Sequence, residues 1–422
     1  MIKKLRIGIF SDTYPPEVNG VATVSELLYN VSIFIIIEKV FNEWGIFVAE
    51  CFRLSIPQEC SMVCHICKIS RFFIAEYSVC IANIIRICAK EFKHMYNYKK
   101  APLYRSSVSK LIKSLNLDLI HVQTEFGVCI FGRILAKVNH IPIVYTYHTM
   151  YEDYTYYVTK GIRVFDSIAK RLVADFSVYL TEKATEFTTT STKTKDVLRK
   201  YGATKFINVI PNGIDLSLFT NTDLNEVEKL RKELNLDGKF IFLILGRLAK
   251  EKSNDIVLKN ISALAKEIDR DKVKLLIVGD GPDKENLENI AKEEGIEDIT
   301  MFIGKVPHEM VSVYYHLADM FLSASTSETQ GLTFIEAMAS ETLVLAKRDE
   351  CLLEVIIPNK TGYFFDTQDE FIKIVKMIMS YDAEELKRIK KEASELITEK
   401  YSAEKFYESM LHVYLRAVRK FW

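Results

Sequence analysis

The fold is decided by the stretch Ser325-Thr326-Ser327-Glu328-Thr329-Gln330-Gly331-Leu332-Thr333-Phe334-Ile335-Glu336-Ala337-Met338-Ala339. An apolar run ends near Ala324, a polar loop follows, and good helix formers come after Gly331. This order predicts a strand, a loop and a helix whose first amides lack partners within the helix. Such a helix N-terminus attracts phosphate through those amides and through the helix dipole. Gly331 would also let the backbone approach a ligand closely.

Two carboxylates flank this turn. Glu328 lies in the loop, and Glu336 lies about two turns into the predicted helix. Carboxylates accept hydrogen bonds from hydroxyl groups. With a phosphate-binding turn between them, they suit a ligand that has phosphates in the middle and diols at both ends. A nucleotide-sugar is such a ligand.

A second signal is Gly246-Arg247-Leu248-Ala249-Lys250-Glu251-Lys252, which follows the apolar run Phe240–Leu245. Arg247 and Lys252 are therefore expected at the carboxyl end of a strand, where they could neutralise a diphosphate. Preplaced cations would stabilise a departing nucleoside diphosphate, whose charge grows as its bond breaks. A lone basic pair or a single glutamate is ordinarily solvated surface. The joint occurrence of these residues at the ends of successive strands favours a site.

Apolar runs alternate with amphipathic stretches along the whole chain, which predicts an α/β protein with parallel sheets and helices on both faces. At 422 residues the chain suits two domains. We predict a first domain over 1–203 and a second over 204–400, with a last helix at about 401–422 that could pack back onto the first. Ligands bind at the carboxyl ends of strands in such sheets. The predicted strands are Leu5–Phe10, Leu117–Val122, Ile141–Tyr145, Phe187–Thr190, Phe206–Ile210, Phe240–Leu245, Lys274–Val278, Met320–Ser323 and Leu343–Ala346.

Composition excludes several classes of protein. Hydrophobic residues make up 49 % of the chain, so core-forming material is ample. Lysine plus arginine equals aspartate plus glutamate at 56 each, which argues against a dedicated nucleic-acid binder. The apolar start is too short for a secretory signal, and no window is long enough for a membrane span. We expect a cytoplasmic protein whose eight cysteines are reduced thiols.

Residues 31–100 differ from the rest of the chain. They contain thirteen isoleucines, six of the eight cysteines and one glycine, but no aspartate or threonine. Turn residues are therefore scarce where a loop-rich half-domain needs them. Two interpretations stay open: an insertion of unusual composition, or a segment that arose from a reading-frame slip. Cys60, Cys64 and Cys67 have spacing that hints at zinc, but a second matching pair is lacking, so no zinc site is assigned.

The residues from Phe206 to about Phe365 resemble the family-four retaining glycosyltransferases of the GT-B fold, in which two Rossmann-like domains face each other across a cleft. Glu328 and Glu336 match the spacing of that family's two signature carboxylates. The resemblance implies that Glu328 contacts hydroxyls of the transferred sugar and Glu336 the ribose diol. It also implies that Arg247 and Lys252 hold the diphosphate. Further donor contacts implied are the amides near Gly331, Leu332 and Thr333, and the loop at Gly279.

The first domain is similar to the family in pieces. The run from Phe10 to Val21, with Gly20, resembles the opening strand and glycine loop at the donor. Tyr147-His148-Thr149 resembles the segment with the family's histidine at the sugar, which would make His148 a catalytic residue. His121 lies within an apolar strand and is interpreted as a packing residue. Residues 31 to about 100 do not match the family.

Within the family, the runs from His148 to Tyr154 and from Ala346 to Glu350 look most like enzymes that glucosylate diacylglycerol. The donor would be UDP-glucose and the acceptor a lipid at the inner face of the membrane. A basic amphipathic stretch supports a peripheral membrane contact, although an ordinary helix with its apolar face in the core explains it equally. Its residues are Lys160, Ile162, Arg163, Val164, Phe165, Ile168, Lys170, Arg171, Leu172 and Val173.

Neither a cofactor nor a metal is expected, because GT-B enzymes use cationic side chains where the other transferase fold uses a divalent ion. The triplet Asp269-Arg270-Asp271 is interpreted as surface. Other functions stay open: transfer to phosphatidylinositol or a polysaccharide, a nucleotide-sugar epimerase of the same fold, or a nucleotide-binding relic without activity.

Overall fold

A computed structural model describes residues 5–11, 21–25, 27–28, 106–125, 127–155, 159 and 163–422, and the backbone of four short strands between 78 and 100. Gly20 and most of the segment 31–100 lie outside the described residues, as do Cys60, Cys64 and Cys67.

The first sheet has five parallel strands in the order β1-β6-β7-β8-β9. Strands β6, β7 and β8 are buried along their whole length, as expected for a parallel sheet covered on both faces. Strands β2 with β3 and β4 with β5 form two separate antiparallel pairs. The strands of the first half are β1 (Ile7–Phe10), β2 (Ser78–Ile81), β3 (Ile84–Arg86), β4 (Lys90–Glu91), β5 (Lys99–Lys100), β6 (Leu119–Val122), β7 (Ile143–Tyr147), β8 (Glu186–Thr189) and β9 (Asn208–Val209).

Helices connect the strands of the first sheet. They are α1 (Ser106–Ser114), α2 (Gly127–Val138), α3 (Arg163–Glu182) and α4 (Thr192–Tyr201). Capping residues set both ends of helix α4. The Ser191 side chain accepts a hydrogen bond from the Thr194 amide at its start, and Gly202 adopts a left-handed φ of 106° at its end.

The second sheet has six parallel strands in the order β12-β11-β10-β13-β14-β15. This is the strand order of doubly wound nucleotide-binding sheets, in which strands are added first on one side and then on the other of a topological switch point between the two central strands. Here that switch point lies between β10 and β13. The strands are β10 (Phe240–Leu245), β11 (Val273–Val278), β12 (Thr300–Gly304), β13 (Met320–Ser323), β14 (Leu343–Lys347) and β15 (Tyr363–Phe365).

Two apolar cores cover the faces of the second sheet. Leu243 and Leu276 pack into one core, and Phe242 and Leu275 into the other, since successive side chains of a strand point to opposite faces. The helices that complete these layers are α5 (Ser217–Thr220), α6 (Leu224–Glu233), α7 (Asn254–Leu264), α8 (Lys284–Glu293), α9 (His308–Leu317), α10 (Leu332–Ala339), α11 (Gln368–Met379) and α12 (Ala383–Lys400).

The last helix, α13 (Ala403–Phe421), packs on the first sheet. Its buried Phe406, Met410 and Tyr414 share a core with Leu119 and Val144. We call the first sheet with its helices and α13 the first unit, and the second sheet with its helices the second unit. The chain thus crosses between the two units twice, once after β9 and once before α13. Because β9 pairs with β8 in the first sheet, the first unit extends past the predicted end at residue 203. That boundary is corrected to a point after Val209.

The predicted strands agree with the observed ones within about two residues, except that the run Phe206–Ile210 contains only a two-residue strand. Within the described ranges, no helix is long and apolar enough to cross a membrane.

Candidate active site

The loops that follow β10 and β13 meet at the switch point of the second sheet. Lys252 lies in the loop after β10, and its Nζ is 2.6 Å from Oε1 of Glu328 in the loop after β13. Their side chains are 31 % and 13 % exposed, so the pair is largely shielded from solvent. The two signals found separately in the sequence therefore form one cluster.

Arg247 belongs to the same cluster through Glu251. The Arg247 guanidinium is 3.4 Å from the Glu251 carboxylate, which is almost completely buried, whereas Arg247 is half exposed. The Ser327 hydroxyl donates to the backbone carbonyl of Glu251 at 3.1 Å. The loop with the two cations and the loop with Glu328 are thus joined by both side-chain and backbone contacts.

Glu328 is held as a carboxylate. Burial opposes its ionisation, but the charge of Lys252 and the hydrogen bonds from Lys252 and Ser325 outweigh burial and hold its pKa below the ordinary value. An ionised Glu328 can only accept hydrogen bonds. It is therefore suited to bind the hydroxyl groups of a sugar, which can donate them.

Glycines allow three loops to pack closely at this edge. A Cβ on Gly279 would lie 1.8 Å from the carbonyl oxygen of Gly246, and Gly279 has a φ of 136°. Gly331 is the N-cap of α10 with a φ of 82°, a conformation that favours glycine. Leu332 and Thr333 are the first two residues of α10, and the Thr333 side chain lies 4.0 Å from the position that a Cβ on Gly246 would take. The predicted donor loops therefore lie together.

Glu336 contacts a tyrosine, whereas Glu328 contacts a lysine. It is the fifth residue of α10, about one turn from the start, because the helix begins at Leu332. The prediction of two turns was therefore wrong. Its carboxylate accepts a hydrogen bond from the Tyr315 hydroxyl at 3.1 Å. Burial raises the pKa of Glu336 to about 7, and the Tyr315 hydrogen bond opposes that rise.

His148 follows β7 and is buried at the edge of the first sheet. Burial lowers its pKa to about 4, so the imidazole is neutral at neutral pH. Its Nε2 contacts Oε1 of Gln123, which follows β6. Because an amide oxygen only accepts, Nε2 carries the proton and Nδ1 is left as the acceptor.

A buried polar chain continues behind Gln123. The Gln123 amide nitrogen lies 3.3 Å from Nδ1 of His121, and the Tyr414 hydroxyl of α13 lies 2.8 Å from the same atom. Nε2 of His121 is 2.7 Å from the Thr146 hydroxyl. Burial, and secondarily the charge of His148, lowers the pKa of His121 to about 3. His121 is thus buried in the sheet as predicted, but it is also a hydrogen-bonding link.

The Glu328 loop also contacts the first unit directly. The Thr329 hydroxyl donates to the backbone carbonyl of His148 at 2.9 Å, and the Thr190 hydroxyl donates to the carbonyl of Thr329 at 2.9 Å. Gln330 exchanges two hydrogen bonds with the backbone of Asn212. The loop that contains Glu328 and the segment at His148 are therefore in direct contact through Thr329.

Sequence reasoning missed Gln123, Glu251 and Tyr315 as neighbours of the predicted residues. Gln123 had a usable signal, because it is a polar residue directly after a buried strand, in the position where ligand contacts arise. Tyr315 had none, since it lies on the buried face of an ordinary helix. The predicted Gly20 lies outside the described residues. Within the described ranges no group of three His, Cys, Asp or Glu side chains is placed to hold a metal ion.

Two family models match the two halves of the chain. Residues 226–396 match the glycosyl transferases group 1 model, and residues 69–218 match the glycosyltransferase family 4 model. An α-monoglucosyldiacylglycerol synthase of Streptococcus pneumoniae is 32 % identical over 372 residues, which is 86 % of this chain and 75 % of that protein. The chain belongs to the family-four glycosyltransferases.

Further comparisons agree with this assignment. The α-monoglucosyldiacylglycerol synthase of Acholeplasma laidlawii is 31 % identical over 73 % of this chain and 78 % of its own. A crystal structure of Anabaena HepE in complex with UDP superposes with a TM-score of 0.61 at 19 % identity, covering 72 % of this chain and 81 % of that one. This likeness, with the two parallel-sheet units, shows the GT-B fold.

The expectation that residues 31 to about 100 do not match the family was wrong for part of that segment. The family-four model begins at residue 69, so residues 69–100 match the family although their composition is unusual. An unusual composition therefore does not exclude this part of the chain from the family.

Proposed function

We propose that this family-four glycosyltransferase moves glucose from UDP-glucose to the free hydroxyl of diacylglycerol at the cytoplasmic face of the membrane, with retention of the anomeric configuration. The observation that carries the proposal is the cluster of Arg247, Lys252 and Glu328 at the switch point, with the N-terminus of α10 beside it. It offers two cations and free amides to a diphosphate, and a carboxylate to the sugar.

The donor assignment has two supports. The Anabaena neighbour was solved with UDP, and the strand order here is that of nucleotide-binding sheets. In this proposal Glu336, on α10, accepts a hydrogen bond from the ribose diol of a nucleotide that lies over the helix. A nucleotide-sugar would then span from Glu336, across the cations, to Glu328 and His148.

The chemical step follows from these positions. The bond between the anomeric carbon and the diphosphate oxygen breaks, and Arg247 and Lys252 stabilise the charge that grows on the departing UDP. The acceptor hydroxyl bonds to the anomeric carbon on the face that UDP leaves, and its proton passes to the departing phosphate oxygen. Glu328 and the neutral His148 orient the sugar. Side-chain cations supply the positive charge in this scheme, so we expect activity to persist in EDTA.

The acceptor assignment rests on relatives and on helix α3. Both curated relatives described above are diacylglycerol-lipid synthases by name. The first half of α3 exposes Val164, Phe165, Ile168 and Leu172, which are 54–69 % exposed, with the exposed Arg171 beside them. These side chains are therefore not in a core, and an apolar strip beside positive charge suits an anionic lipid surface. Lys160 and Ile162 lie outside the described residues.

A donor and acceptor screen tests the proposal. Radiolabelled UDP-glucose, UDP-galactose and GDP-mannose would each be supplied with diacylglycerol, its monoglucosyl product or phosphatidylinositol in mixed micelles. We expect label in lipid only with UDP-glucose and diacylglycerol, in the α configuration by NMR. Label in phosphatidylinositol instead would replace the acceptor. Interconversion of nucleotide-sugars without an acceptor would indicate an epimerase, and UDP binding without any product would indicate a relic.

A further inference from the structure

The ammonium of Lys193 crosses from the first unit to the loop that contains Glu328. Lys193 is the second residue of α4, which packs beside the first sheet. Its Nζ donates to the carbonyl of Thr326 at 2.8 Å, to the carbonyl of Glu328 at 3.3 Å and to Oδ2 of Asp349 at 2.5 Å. The three acceptors use all three protons of the ammonium group.

The contact is built into both units. The Lys193 side chain is only 15 % exposed and that of Asp349 only 3 %. The other oxygen of Asp349 accepts from the amide of Cys351 and begins the short helix Glu350–Glu354. Next to Lys193, the amide of Thr192 donates to the carboxylate of Glu354 at 2.9 Å. A shielded ion pair with every hydrogen bond made holds its partners more firmly than an exposed one.

Lys193 contacts the backbone directly next to the Glu328 side chain. The two carbonyls it binds lie on either side of Ser327, so it holds the short piece of backbone from which the Glu328 side chain departs. The Glu328 side chain itself forms an ion pair with Lys252, which belongs to the second unit. Thr190 and Thr329 also join this loop to the first unit, but they do so through neutral hydroxyls. Lys193 supplies the charged contact.

We propose that Lys193 is a positioning residue for transfer: it fixes the backbone at 326–328 when the cleft is closed, so that Glu328 meets the sugar while Lys252 stays on the diphosphate. Lys193 itself does not touch the donor. This inference rests on the proposed function of Glu328, and it adds a cation of the first unit to a site whose other cations belong to the second.

Substitution at Lys193 separates positioning from nucleotide binding. Lys193→Met keeps the apolar stem and removes the ammonium. We expect kcat to fall about tenfold or more, as for lost orientation of a reacting group, because the sugar is no longer held. The Kd for UDP, measured by titration calorimetry, should change less than about twofold, since UDP would bind the Arg247 and Lys252 side of the cleft.

Two further variants make the comparison decisive. Lys193→Arg restores a cation of similar reach and should recover most of kcat, which a loss of folding would not allow. Lys200→Met, in the last turn of the same helix and exposed, is the matched control and should leave both quantities unchanged. If Lys193→Met does not fold, Lys193→Gln, whose amide can still donate to a loop carbonyl, takes its place.

An unchanged kcat in Lys193→Met would overturn the inference. So would a parallel loss of kcat and of UDP binding, because the contact would then only hold the fold together. Arg247→Ala and Glu328→Gln measured in the same series keep the two proposals apart. If those two variants lose activity while Lys193→Met keeps it, the role of Lys193 is refuted and the proposed function stands; if all three keep it, the proposed site itself is wrong.

Discussion

Nζ of Lys252 and Oε1 of Glu328 lie 2.6 Å apart although the residues are separated by 76 positions in the chain. The contact exists because β10 and β13 are neighbours in the second sheet and each residue lies in the loop after its strand. Under the proposed function, it places the cation that would bind phosphate directly beside the carboxylate that would bind sugar hydroxyls. A diphosphate bound as proposed would therefore share the Lys252 ammonium with Glu328.

Because the diphosphate and Glu328 would share the Lys252 ammonium, Glu328→Gln should affect UDP binding and the rate of transfer in opposite directions. Removing the carboxylate charge frees Lys252 for the diphosphate, so UDP should bind as well as before or a few-fold more tightly. Transfer should fall by about tenfold to a hundredfold, because the amide aligns the sugar less well. Calorimetry and initial rates measure the two effects. Glu341→Gln, at an exposed turn of the same domain, is the control. Weaker UDP binding in Glu328→Gln would refute the competition.

Gln123 should control the orientation of His148. Gln123→Met removes the amide oxygen that accepts from Nε2 while keeping a similar volume, so the neutral ring can rotate or change tautomer. We expect kcat to fall by about tenfold with little change in the Kd for UDP, since the histidine follows a strand of the first sheet and the two cations follow a strand of the second. Gln368→Met on α11 is exposed and serves as the control. A variant that keeps full kcat would remove Gln123 from this role.

Glu336 predicts a pH dependence of donor binding. Its pKa is raised from 4.5 to about 7, so the carboxylate that would accept from the ribose diol forms only as the pH rises through about 7. The affinity for UDP-glucose, whose diphosphate does not titrate in this range, should therefore increase several-fold between about pH 6 and pH 8. Glu336→Gln should lose that dependence. A flat binding profile in the wild-type chain would contradict this assignment.

The same raised pKa has a consequence for stability. Between about pH 4.5 and pH 7 the folded chain binds the Glu336 proton more tightly than the unfolded chain. The contribution of this group to the free energy of unfolding therefore falls as the pH rises through that window. Urea unfolding at pH 5 and pH 7.5 should show a smaller difference in Glu336→Gln than in the wild-type chain.

The exposed strip of α3 should control binding to lipid. Replacing Phe165 and Leu172 by serine removes two exposed apolar side chains, worth about 1–3 kcal/mol each if fully inserted in lipid. Sedimentation with vesicles that contain phosphatidylglycerol should then show at least about tenfold weaker binding. Val138→Ser on α2, where the side chain is 67 % exposed, is the matched control. Equal binding by both variants would show that α3 does not contact the membrane.

Much of the second domain could be predicted from the sequence, because its strands are short apolar runs bounded by polar loops. Phe240–Leu245 and Met320–Ser323 have the predicted bounds. The approach of Lys252 to Glu328 could also be expected, since residues after parallel strands gather at one edge of a sheet. The helix begins directly after Gly331, as predicted, but five residues span fewer than two turns, so the depth of Glu336 was overestimated.

Contacts between the two units could not be predicted. Lys193 is one of several lysines in a polar helix, and its partner Thr326 is 133 positions away. The closeness of these residues depends on how the two sheets face each other and on α13 crossing back to the first, and no local pattern specifies either. Gln123 illustrates the intermediate case: its place after a strand was visible, but its hydrogen bond to His148 depends on the register of β6 against β7.

In the proposed mechanism, Arg247 and Lys252 receive the diphosphate of the donor and stabilise it as it leaves. The most direct test is the kcat of Arg247→Ala with UDP-glucose and diacylglycerol, with Arg388→Ala on the exposed face of α12 as the control. Losing one preplaced positive group from a departing oxyanion costs about 3–4 kcal/mol, so we expect kcat to fall by about a hundredfold to a thousandfold while the control stays at the wild-type rate. An Arg247→Ala variant that turns over as fast as the wild-type chain would contradict the account.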